Sequence, residues 1–124
     1  MIAVDTSSLV AYLEGELADD TVAIDAAIKA KSLRIPGPVI TELLSYPKVG
    51  AQVGKLIEDI PPLETAPGFW ERAGETRRKL LSQGFKARVE NVLIAQLCLD
   101  QNILLITRAP DFRHFVNLCG LRLA

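Results

Sequence analysis

Histidine occurs once and cysteine twice in the 124 residues. His114, Cys98 and Cys119 are too few for a zinc site of His and Cys ligands. Neither cysteine lies in a Cys-x-x-Cys pair, which argues against a disulfide framework and for free thiols in a cytoplasmic protein. Aromatic residues are scarce at 6%. No run approaches the roughly 18 apolar residues of a membrane span. No basic segment precedes the first apolar run, which Asp5 interrupts, so a signal peptide is not expected. Neither sign of charge dominates: 14 bases stand against 15 acids, a formal charge of −1. That excludes a uniformly basic nucleic-acid binder and leaves room for a local basic patch.

What the chain does have is apolar material, 49% of its residues. At this length that fills one core, so one domain is expected over 1–124. Ile2-Ala3-Val4 is a short apolar run opening into Asp5-Thr6-Ser7-Ser8, the pattern of a buried strand followed by a capped helix. Leu9, Val10 and Leu13 give that helix one face, and Gly15 ends it. Residues 14 to 25 hold five acids and no base. A second helix is expected over 18–31, with Val22, Ile24, Ala27 and Ile28 apolar. Leu33-Arg34-Ile35 reads as a strand broken by Pro36-Gly37-Pro38. A helix carrying Glu42 follows until Pro47, and another spans 49–58. Pro61-Pro62 confines any strand at 60–63 to an edge. Residues 67–83 form the longest helical candidate, with Trp70, Ala73, Leu80 and Leu81 inward and Phe69 and Trp70 as core anchors. Glu90 to Asp100 is apolar nearly all round, the mark of a buried helix. Ile103 to Ile106 is a buried strand, followed by a short helix near 110–117 and a strand at 121–123. Strands alternating with helices predict a parallel, three-layer α/β domain, whose ligands bind outside the carboxyl ends of the strands. Asp5 and the 107–111 segment lie at such ends.

Carboxylates converging there repel one another unless a cation bridges them. Hard cations such as Mg²⁺ or Mn²⁺ take oxygen ligands, can activate a water and can neutralise a phosphate under attack. Asp5 and Glu42 are the main candidates, then Glu90, Asn91 and Asp111. Taken singly, Asp5 also reads as a helix cap and Glu42 as a solvated helix residue. Six bases and one acid, Glu75, fall between 72 and 88. Such a cluster suits a reader of phosphodiesters and equally a solvated helix face. No serine or threonine has a histidine partner that would suggest a triad.

In this order the pieces resemble a PIN domain, more closely a toxin of the VapC type, over nearly the whole chain. Ile2-Ala3-Val4-Asp5-Thr6-Ser7 resembles the first strand with its metal-binding Asp. Thr41-Glu42-Leu43-Leu44 resembles the segment of the second acid. Lys86-Ala87-Arg88 with Leu93-Ile94-Ala95-Gln96 resembles the surroundings of the third, and Leu105-Ile106-Thr107-Arg108 with Asp111-Phe112 those of the fourth. The third acid is replaced by Asn91 and the fourth by Ala109. The resemblance implies a central, mostly parallel sheet flanked by helices. It implies a cytoplasmic homodimer that cleaves RNA with Mg²⁺ or Mn²⁺ and is inhibited by a small VapB-like antitoxin, whose Arg would reach the carboxylates. Asp5, Glu42 and Asn91 would be metal ligands, with Asp111 beside them in the catalytic set. Thr6 and Thr107 would orient their neighbours, and Lys86, Arg88 and Arg108 would contact phosphates. With two acids replaced, the alternative is a degenerate PIN-like domain that binds RNA or a protein without cutting.

Overall fold

The computed structural model describes residues 1–48 and 50–124. Strand β1 (Ile2–Val4) leads into helices α1 (Thr6–Leu13) and α2 (Asp19–Lys29). Strand β2 (Leu33–Pro36) leads into α3 (Gly37–Leu44) and α4 (Ala51–Asp59), and β3 (Pro62–Leu63) into α5 (Phe69–Ser82) and α6 (Val89–Gln101). Strand β4 (Leu104–Ile106) is followed by a 3₁₀ turn (Pro110–Phe112) and α7 (Arg113–Cys119). The expected start of the fourth helix, residue 49, lies outside the described residues.

The four strands form one sheet in the order β3-β2-β1-β4, every pairing parallel. Ile2 sits beside Leu33 on one side and Leu104 on the other, and Val4 beside Ile106. Successive strands step outward from β1 to β3, and the chain then crosses back to lay β4 against the free side of β1. The order therefore reverses between β1 and β4, and the crevice at their carboxyl ends is where a parallel sheet places a ligand. Residue 5 closes β1 and residue 107 closes β4. Helices flank the sheet, α1 packing on α2, α5 on α6, and α3 on α6. No helix among the described residues is long and apolar enough to cross a membrane.

Local chemistry accounts for the element ends. Asp5 caps α1 by accepting from the Ser8 N–H. Pro36 and Pro38 fall at the N-cap and first turn of α3, where a missing N–H leaves no helical bond unmade. Asn102, at φ 54°, ends α6 in the left-handed conformation that Asn tolerates. Gly68, at φ 81°, starts α5 where a Cβ would stand 2.7 Å from the Arg72 guanidinium.

Three expectations need correction. On α5 the inward row is Phe69, Ala73 and Leu80, with the half-buried Thr76 between them, bonded to Gln96. Trp70 and Leu81 stand one residue further on, about 100° round the helix, and are exposed, Trp70 by 64%. On α2 the row is Thr21, Ile24 and Ala27, and Val22 faces solvent. The closing segment makes only an isolated parallel bridge, Leu123 to Leu105, and no strand.

The core runs from Val4, Leu9 and Ile24 through Ile35 and Leu43 to Ile94, Leu105, Phe112 and Phe115. Cys98 is part of it, and burial pushes its thiol up to about 12. A thiol held that far above its usual range yields almost no thiolate at neutral pH. Cys98 should therefore resist a thiol reagent at pH 8 in the native protein and react only on unfolding. Modification of native Cys98, read by mass spectrometry, would contradict this packing.

Candidate functional site

The strand-end crevice is built around Asp5, which is 4% exposed. Its carboxylate accepts from Ser7 Oγ at 2.8 and 3.0 Å, from the Ser8 N–H at 3.2 Å and from Thr107 Oγ1 at 2.6 Å. Thr107 Oγ1 in turn accepts from the Ala109 N–H at 3.0 Å. The ends of β1 and β4 are thus tied through one carboxylate. Burial raises the Asp5 pKa above the ordinary carboxylate value, and nearby Asp20 adds to the rise. The donors from Thr107, Ser7 and Ser8 oppose it without cancelling it.

Glu42 joins this arrangement through the next residue along, since Thr6 Oγ1 donates to Glu42 Oε1 at 3.0 Å. The two threonines expected to orient their neighbours thus sit on the two main acids. Glu42 is half-buried on α3 and shares a cavity of about 580 Å³ with Glu90. The rest of that wall is largely apolar, including Leu63, Phe69, Trp70, Leu93 and Leu97. Asn91 follows Glu90 on α6 but lines a different cavity, of about 360 Å³, with Asp111 and with Lys86, Arg88, Arg113 and His114. One step along the helix turns the side chain by about 100°, enough to separate the two. Asp5 lines neither cavity. Among the described residues, no three His, Cys, Asp or Glu side chains gather closely enough to hold a metal ion.

Arg108, expected at a phosphate, is engaged by acids of its own chain. Its Nε and Nη2 reach Asp20 at 2.7 and 2.9 Å, and Nη1 reaches both oxygens of Glu16 at 2.9 Å. Asp20 also accepts from Ser8 Oγ at 2.8 Å. The Arg108 guanidinium is the leading cause that holds Asp20 down at about 2. This clamp fixes the loop after β4 to the start of α2, directly behind Thr107. Sequence reasoning missed it, although the signal was there: an acidic run over 14–25 with no base of its own and one arginine at a strand end.

The basic cluster over 72–88 divides. Arg72 makes a paired contact with Asp100, Nε at 3.0 and Nη2 at 2.6 Å, and so binds α5 to α6. Arg77 Nε donates to the Ala87 carbonyl at 2.8 Å, and Lys79 donates to the Leu118 carbonyl. Lys86 and Arg88 are exposed on either side of buried Ala87.

No protein family's model matches the chain. No curated protein matches it either. Solved structures do. VapBC2 from Rickettsia felis, bound to a DNA fragment from its promoter, superposes with a TM-score of 0.79 at 19% identity over 100% of this chain and 98% of the other. VapBC-1 from nontypeable Haemophilus influenzae gives 0.75 at 20% identity, over 100% and 97%. FitAcB from Neisseria gonorrhoeae gives 0.70 at 13% identity, over 99% and 96%. Over its whole length, the chain has the PIN-like α/β fold of these proteins.

Proposed function

We propose that this chain is a VapC-like toxin, an RNA endonuclease that works with Mg²⁺ or Mn²⁺ and is paired with a small antitoxin. The observation that carries the reading is the buried Asp5 at the β1/β4 reversal, oriented by Ser7, Ser8 and Thr107, with Glu42 joined to it through Thr6. Two carboxylates fit a hard cation that keeps several waters and takes further oxygens from a substrate phosphate. They do not fit a closed resident site, since Ala109 supplies no ligand and Asn91 lies among cations. Asp5 and Glu42 would hold the ion, which supplies an activated water and neutralises charge on the phosphate. Thr107 and Ser7 keep the Asp5 oxygens in place, and Thr6 donates to Glu42 Oε1. Lys86 and Arg88 hold the RNA backbone, while Arg108 clamps the loop that carries Thr107.

Cleavage of a structured RNA with Mg²⁺ or Mn²⁺, compared with Asp5→Asn, tests this. Metal-dependent cleavage absent from the variant is expected. Equal cleavage by both proteins would end the proposal. The alternative, a PIN-like domain that binds without cutting, is favoured by Asn91 and Ala109. Absent cleavage with retained RNA or partner binding would establish it.

The donor count also sets a stability expectation. A ligand present at 100 times its Kd stabilises by about 2.7 kcal/mol, roughly 10 °C for a chain of this size. With two carboxylates, millimolar Mg²⁺ alone should move Tm by less than about 1 °C. A large rise in the parent protein would show a resident site.

The apolar wall beside Glu42 and Glu90 is where the antitoxin would lie, its apolar side chains against Phe69, Leu93 and Leu97 and an Arg toward the carboxylates. Trp70 is the only tryptophan, so its emission should start near that of indole in water and shift blue when a partner covers the wall. A cytoplasmic homodimer belongs to the same reading.

A further inference from the structure

The second cavity departs from what a metal centre requires. Lys86, Arg88 and Arg113 bring three cations to it against the one carboxylate of Asp111, and His114 and Asn91 add polar groups. Little of this charge is neutralised internally. Arg88 reaches Glu90 only at 4.0 Å with its side chain 76% exposed. Among the described residues neither Lys86 nor Arg113 is in an ion pair.

The walls are held independently of any ligand. One is the 86–88 segment, pinned by burial of Ala87 and by the Arg77 bond to its carbonyl at 2.8 Å. The other is the 110–115 segment, anchored by the buried rings of Phe112 and Phe115, 5.9 Å apart. His114 packs on Phe85 at 4.3 Å between ring centres and ties the two walls together. A concavity of fixed shape with surplus positive charge favours an anion, and phosphate oxygens are the acceptors that Arg and Lys meet best.

Asn91 decides what the cavity takes. A carboxylate there would offset one of the three cations. The amide leaves the surplus intact and adds an N–H donor. We propose that this cavity is a phosphate-binding site for the RNA backbone, in which Asn91, Arg113 and Lys86 grip a phosphodiester and Asn91 serves as a donor to phosphate in place of a metal ligand. The site deepens the nuclease reading by giving the enzyme a hold on its substrate that needs no metal, next to the helix turn carrying Glu90.

The test is fluorescence anisotropy with a 2′-O-methyl RNA 12-mer, which resists cleavage, in EDTA at several salt concentrations. Lys86→Ala and Arg113→Ala should each weaken binding about threefold or more and lower the salt slope by about 1. Asn91→Asp should weaken it comparably, because without metal a carboxylate only repels phosphate. Lys55→Ala, remote from the cavity, should bind as the parent does, and circular dichroism checks that each variant is folded. Wild-type protein that does not bind, cavity variants that bind normally, or Asn91→Asp binding as well as or better than wild type would each overturn the site. So would a loss seen with a DNA 12-mer and not with RNA. Because metal and cleavage are absent, the site and the nuclease reading fail separately. Weakened binding in a protein that never cleaves RNA keeps the site, and metal-dependent cleavage with unchanged binding by the variants removes it.

Discussion

Asp5→Ala should melt about 10 °C below the parent protein, and Asp5→Asn within about 4 °C of it. Alanine removes every acceptor at a buried position. The Ser8 N–H loses its cap and Thr107 Oγ1 loses the oxygen 2.6 Å away. Loss of a helix cap costs about 1 kcal/mol, and an unpaired buried donor adds about 1–3, for a total near 3 kcal/mol. Asparagine keeps one oxygen, and the Ser7 hydroxyl can rotate to accept from its amide. The asparagine also sheds a charge that burial disfavours. Because the folded pKa of Asp5 is raised, its protonated form is the one folding prefers. Its favourable contribution is present below the unfolded value and is lost as pH rises through the folded one. Asp5→Asn escapes that loss, so its deficit against the parent should narrow as the solution is made less acidic. Thermal melts taken from below pH 3.8 up to pH 8 check this, and an Asn variant that melts as low as the Ala variant would contradict it. The comparison also bears on activity. Lost cleavage in Asp5→Ala mixes chemistry with unfolding, whereas in Asp5→Asn it reports the charge.

How much was legible in the sequence follows from which signals are local. The strands Ile2–Val4 and Leu104–Ile106 were readable because continuous apolar runs between polar ends have few other uses. Pro61-Pro62 gave away the edge strand for the same kind of reason, since proline cannot serve a central ladder. The inward face of α5 is ambiguous in sequence because Phe69 and Trp70 are neighbours and both large. Only the register from Phe69 through Ala73 to Leu80 decides between them, and that register runs through polar Thr76, whose hydroxyl is satisfied by Gln96 on another helix. Partners distant in sequence were equally invisible. Thr107 and Asp5 are 102 residues apart, and Arg108 and Glu16 are 92 apart. Motif resemblance located Thr107 because it carries the order of such segments. It misdirected Arg108, because a basic residue beside an active-site strand reads as a phosphate ligand until its acidic partners are seen. The list of nearby acids and amides held Glu90 and Asn91 together, whereas the turn of α6 sends them into two cavities of opposite character.

Arg108→Met should lower stability at pH 6 and do so much less at pH 2. Methionine keeps the length of the stem and removes the guanidinium that meets Asp20 and Glu16. Asp20 then retains only the Ser8 hydroxyl and the Thr21 N–H as donors. In the parent, Asp20 is held down from 3.8 to about 2. A group with a depressed folded pKa stabilises above its unfolded value and loses that contribution as pH falls through the folded one. The window for this loss is therefore about pH 4 to 2, as Asp20 takes up its proton. The Arg108 and Glu16 side chains are 34% and 49% exposed, and solvent screening reduces the contribution. Chemical denaturation of both proteins across pH 2 to 6 should give curves that converge in acid. The same pair of proteins separates an internal clamp from a hold on phosphate. If Arg108 is a clamp, Arg108→Met lowers stability in acid-sensitive fashion and leaves the salt slope of RNA binding unchanged. If Arg108 grips phosphate, the substitution does the reverse, reducing the slope by about 1 with stability intact. Because every nitrogen of Arg108 already meets a carboxylate oxygen within 2.9 Å, the first pattern is the one expected, and on the proposed reading any grip on RNA would fall to the cavity of Lys86, Asn91 and Arg113.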